Sequence, residues 1–184
     1  MRPRFQADGA ARSLPRLAET LTGALDLSGR VLCAFCLAVL FAALLANVLL
    51  RYVAGSGLGW AYEIHAIVLP WLVGGGIVVA AVQGRHIAIT LLQDALGPVP
   101  ARRLMLLIQL VVVVIAAGVF WSSLPILSAA SHQRIPALGV TRFWGYLSLA
   151  YAFAGMGLVA ALDALRLLSG EPIQKPDAAD QSLS

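Results

Sequence analysis

Four stretches of this chain are long enough to cross a bilayer and contain no Asp, Glu, Lys or Arg: residues 31–50, 64–82, 104–131 and 143–162. A spanning helix needs about 20 largely apolar residues. Composition excludes the soluble alternative. The chain is 60% hydrophobic and 12% charged, whereas soluble domains carry roughly a quarter charged residues to clothe their surface. In lipid each backbone N–H and C=O must be satisfied within the segment, so spans of this kind are helical. The expected fold class is therefore all-α integral membrane, with four transmembrane helices. The net charge of +4 reads as basic residues at a membrane boundary, not as a nucleic-acid surface.

Orientation follows from Lys and Arg. Arg2, Arg4, Arg12, Arg16 and Arg30 precede the first span, Arg85, Arg102 and Arg103 lie between spans two and three, and Arg166 and Lys175 follow span four. These ten fall on one side, against Arg51, Arg134 and Arg142 on the other. The rich side is expected to be cytoplasmic, which places both termini there. Tyr52, Trp60, Tyr62, Trp144 and Tyr146 all fall at the opposite boundary, where amphipathic rings favour the interface. The first span starts about thirty residues in and exceeds a secretory h-region, so it reads as a retained anchor.

Three regions flank or join the spans. Residues 1–28 form a cytoplasmic N-terminal segment, partly amphipathic through Leu14, Leu17, Leu21 and Leu25. Residues 29–168 form the transmembrane domain, and residues 169–184 a disordered cytoplasmic tail. Between spans two and three, His86, Thr90, Gln93, Asp94 and Gly97 fall on one helical face, opposite Ile87, Ala88, Leu91, Leu92 and Ala95. This pattern predicts a short interfacial amphipathic helix over 86–96, stopped by Gly97-Pro98. A cytoplasmic extension of span two has the same periodicity. Ser122-Ser123-Leu124-Pro125 predicts that the third span bends or leaves the hydrocarbon there.

Sites of chemistry in lipid announce themselves as ionisable residues at mid-depth. The midpoints of these spans are apolar, and the polar residues within them, Asn47 and Gln109, are uncharged. No catalytic, substrate or metal site is expected, and no cofactor. Cys33 and Cys36 lack a second ligand pair and read as small packing residues. Polar groups gather at the boundaries instead. Asn47 and Arg51 share a helix face, and Glu63 enters span two at the same boundary, where an Arg51–Glu63 ion pair would pin the first hairpin. His65 and His132 are a candidate haem pair, as in a membrane anchor of a redox enzyme. Arg85 and His86 end span two at the inner face, where a snorkelling Arg suffices. Small residues at Ala150 and Ala154, Gly157 and Ala161, and the run Gly74-Gly75-Gly76 favour close helix approach, the glycine run also matching a broken helix.

The order Asn47-Val-Leu-Leu-Arg51-Tyr52, Trp60-Ala-Tyr-Glu63, Trp71, glycines at 74–76, and Gly84-Arg85-His86-Ile87 resembles the small permease subunit of tripartite ATP-independent periplasmic (TRAP) transporters. Ile135-Pro136-Ala137-Leu138-Gly139, then Trp144 and Tyr146, looks like the second block of that family. Ile64 stands where the family often has a second acid, and the last helix lacks a proline frequent there. The resemblance covers about residues 30–168. It implies a non-enzymatic scaffold in the bacterial inner membrane that binds a large permease subunit. That partner would hold the sodium and substrate sites, and a periplasmic solute-binding protein would deliver the substrate, typically an organic acid. Asn47, Arg51, Trp60, Glu63, Arg85 and His86 would then be structural or subunit-interface residues. A small accessory subunit of another tripartite importer is the alternative of the same general kind.

Overall fold

The computed structural model describes the backbone of residues 7–96 and 98–169, and the side chains of residues 18–84 and 99–169. The chain runs α1 (Ala7–Ala54), α2 (Gly59–Glu63), α3 (His65–Leu96), α4 (Pro98–Ala130) and α5 (Phe143–Leu168). Four helices are long and apolar enough to cross a membrane, so the all-α four-span fold expected from the sequence is the one observed. One boundary differs from expectation. The segment 86–96 is not a separate interfacial helix; its backbone continues α3 without a break to Leu96. Nothing between Arg85 and Leu96 ends a helix, Gly84 is tolerated in its interior, and the first strong breaker is Gly97-Pro98. α4 runs through Pro125 to Ala130. The amphipathic faces of residues 86–96, the leucines before residue 18 and the tail from residue 170 lie outside the described side chains.

The spanning helices form a layer in the order α1–α3–α5–α4. Among the described residues α1 and α4 make no contact, so the layer is an open wall and not a closed bundle. Only 11–33% of each span's most apolar window is buried inside the molecule. The remaining apolar faces must be covered by lipid or by another membrane protein.

α1 meets α3 along a seam of strict heptad spacing. Thr22, Gly29, Cys36 and Ala43 recur every seven residues, interleaved with Asp26, Cys33, Leu40 and Asn47. A 3.5-residue repeat keeps one face on its neighbour along a long helix, as in coiled coils. Thr22, Cys36, Leu40, Ala43 and Asn47 are all buried. The backbones touch where Gly29 crosses Gly75: a Cβ on Gly29 would stand 2.9 Å from the Gly75 carbonyl oxygen. On the adjoining face of α3, a Cβ on Gly74 would stand 3.0 Å from the Ser148 carbonyl oxygen of α5. The glycine run is thus unbroken helix. Two consecutive glycines, about 100° apart around the axis, let α3 approach both of its neighbours.

Pro70 explains the second close contact between α3 and α5. Lacking an N–H, it leaves the Ala66 carbonyl without its helical donor. Gly145 packs there, with an added Cβ only 2.8 Å from that oxygen. The small stripe that packs α5 is Ser148, Ala152 and Gly155, continued by Val159, all buried. It is offset from the Ala150–Ala154 pair, of which Ala154 is exposed. Gly157, from the second expected pair, does face α4, opposite Ala116.

Candidate functional site

The polar residues singled out by the sequence collect where α1 turns into α2. Gly55, at φ 71°, ends α1, and the chain folds back over it. Asn47, two turns below, is 4% exposed. Its Oδ1 accepts a hydrogen bond from the Leu58 N–H at 2.6 Å. That N–H precedes α2 and has no helical partner of its own. Gly57 passes over the carboxamide so closely that a Cβ would lie 2.8 Å from Oδ1. Arg51, one turn further along α1, is exposed.

The expected Arg51–Glu63 ion pair does not form. Glu63 Oε2 instead accepts the backbone N–H of Ala137 at 2.7 Å. This bond joins the α1–α3 hairpin to the loop between α4 and α5. That loop is itself well built: Ile135 N–H donates to the Val140 carbonyl at 2.8 Å, Arg142 N–H to the Gln133 carbonyl at 2.9 Å, and Gly139 turns with φ 65°. Ile135 is 3% exposed and anchors it. An ionised carboxylate accepts strongly from a backbone N–H. An exposed Arg gains little from an ion pair across solvent.

Aromatic residues extend this network into the wall. Trp71 Nε1 donates to the Trp144 carbonyl at 2.8 Å. Its ring lies 5.8 Å from that of Tyr151, whose hydroxyl is 2.9 Å from Ser28 Oγ. α1, α3 and α5 are therefore tied by one polar thread. Trp60, partly exposed, stands at the rim. His65 Nδ1 is 2.8 Å from the Ala61 carbonyl, and His132 Nδ1 is 3.1 Å from that of Ser128, so each ring is held by its own helix. The side chains of Arg85 and His86 lie outside the described residues. At the opposite end of the wall, Arg102 donates to the Leu167 carbonyl at 2.5 Å, satisfying an orphan carbonyl at the end of α5. Arg30 pairs with Asp26 at 2.7 Å. Sequence pattern does not point to Ser28, Tyr151 or the buried Asp163; the heptad spacing was the one available signal for Asp26.

Among the described residues no group of three His, Cys, Asp or Glu side chains could hold a metal ion. The bonds at this rim link helix to helix and helix to loop. The family model for the DctQ component of tripartite ATP-independent periplasmic transporters matches residues 40–170. The chain belongs to the DctQ family. It is accordingly a multi-pass inner-membrane protein and a transporter subunit. A putative TRAP transporter small permease protein of Haemophilus influenzae is 26% identical over 67% of this chain and 75% of its own length. A Sinorhizobium fredii protein described as uncharacterized is 30% identical over 85% of this chain. The match occupies only 29% of that longer protein. No solved structure matches the chain.

Proposed function

We propose that this DctQ-family chain is a non-catalytic membrane scaffold in sodium-driven uptake of an organic acid. It would hold a large permease subunit, which carries the sodium and substrate sites, while a periplasmic binding protein delivers the substrate. The observation that carries this reading is the open wall: α1 and α4 stay apart, and most of each span's apolar surface is uncovered. Such an open arrangement leaves large apolar faces for a second membrane protein. The loop charges support cytoplasmic termini, which puts the Asn47–Glu63 rim on the periplasmic side. There Arg51 and Trp60 are exposed, and Arg with Trp is a combination enriched at protein interfaces. Arg85 and His86 fall near the cytoplasmic boundary.

The test is affinity purification of the tagged chain from its native membrane, paired with uptake assays. A multi-span permease several times larger should copurify, and deletion of this chain should abolish uptake of an organic acid. A chain that purifies alone, and whose deletion leaves all such uptake intact, sinks the proposal.

A further inference from the structure

A groove of about 450 Å³ opens between α3 and α5 at the aromatic end of the wall. Its floor is made of small buried residues, Gly74, Gly145, Ser148 and Ala152. Its walls include Leu69 and Val73, both about half exposed, so it opens to the surrounding membrane. At its mouth stand Arg142 and Tyr146. No hydrogen bond or ion pair among the described residues engages the Arg142 guanidinium.

We propose that this groove holds one acyl chain of an anionic phospholipid, with the headgroup phosphate on Arg142. Length decides between a lipid and a partner helix. From Arg142 to Ala152 is ten residues along α5, roughly 15 Å at 1.5 Å per residue. That is about half of a 30 Å hydrocarbon core, the depth of a single leaflet. The groove starts at the boundary and stops near mid-membrane, as an acyl chain does. A packed helix would need a groove running the full height of the wall. Charge agrees: the mouth offers a cation and a phenol at headgroup level, and the interior offers almost only apolar surface. The two close backbone approaches at Ala66–Gly145 and Gly74–Ser148 form the floor of the groove. The site does not depend on which permease, if any, the wall supports.

The test is native mass spectrometry of the full chain in detergent, titrated with phosphatidylglycerol or phosphatidylethanolamine. The wild type should retain one phosphatidylglycerol per chain in preference to phosphatidylethanolamine. Arg142→Gln should lower that retention about tenfold, the loss of one charge-assisted contact. Val73→Trp, which lids the groove from its exposed wall, should remove retention of both lipids. Arg142 and Val73 are surface positions, and circular dichroism of each variant checks that its helices are intact. Equal retention of the two lipids by the wild type, or wild-type retention in Arg142→Gln, overturns the proposal. So does a photoreactive side chain at position 69 that crosslinks in native membranes to a protein instead of to lipid.

Discussion

Asn47 and Glu63 do the same work with different chemistry: each offers an oxygen to a backbone N–H that no helix or sheet serves. Removing such an acceptor leaves a donor unpaired, at a cost of about 1–3 kcal/mol where it is shielded from water. Asn47 is deeply buried, and Asn47→Ala should lower the thermal unfolding midpoint of the purified chain, while Asn47→Asp, which keeps the oxygen, should lose less. Retention of the wild-type midpoint in the alanine variant would show that water serves Leu58 equally well. Glu63 is a milder case because its bond to Ala137 is exposed. Glu63→Ala should therefore act locally, removing hydrogen-exchange protection at the Ala137 amide, and Glu63→Gln should preserve it. Unchanged protection in Glu63→Ala would mean that the loop holds itself. These two residues were legible in the sequence as boundary polar groups on facing helices. Their partners were not, because both partners are backbone amides, which every residue carries and no pattern distinguishes.

At the scale of elements, hydropathy fixed the number of spans and left their neighbours open. Four uncharged stretches of ample length admit few other readings, and α3 ends at Leu96, next to the expected Gly97-Pro98 stop. The break expected before residue 86 rested on an amphipathic pattern that a straight continuation of the helix satisfies equally. Neighbour choice depends on small residues, and these are plentiful enough here that most do not mark a contact: Gly118 faces open space, whereas Gly29 is pressed against α3. The heptad seam adds the missing discrimination, since only Gly29 lies both on the repeat and opposite a second glycine. Gly29→Ala would bring a methyl group to 2.7 Å from Val79 Cγ2 and 2.9 Å from the Gly75 oxygen. Overpacking of that kind typically costs 1–3 kcal/mol. A detergent-unfolding series should show this loss for Gly29→Ala and almost none for Gly118→Ala. Equal behaviour of the two variants would mean that the helices slide apart at little cost.

At the scale of the molecule, the contacts place the four spans out of step. Gly29 lies about eleven residues from the centre of the first uncharged stretch, yet it abuts Gly75, about two residues from the centre of the second. The centres are thus staggered by about nine residues, roughly 14 Å along the axes. The pairs Val78–Gly155 and Ala116–Gly157 add smaller steps in the same direction. Lipid requires all four apolar centres to lie at one depth, and a sheared wall meets that requirement only by leaning in its own plane. With neighbouring axes 8–10 Å apart, the accumulated shear corresponds to a tilt of about 40°, the upper end of what membrane helices show. Nitroxide labels on the exposed positions Phe41, Val73 and Val114 should therefore report similar depths, all near the bilayer centre, by their relative accessibility to oxygen and to an aqueous nickel reagent. An upright wall would instead carry Phe41 about ten residues, or roughly 15 Å, above Val73 and to the edge of the headgroups. A label there with headgroup-like accessibility would rule out the lean.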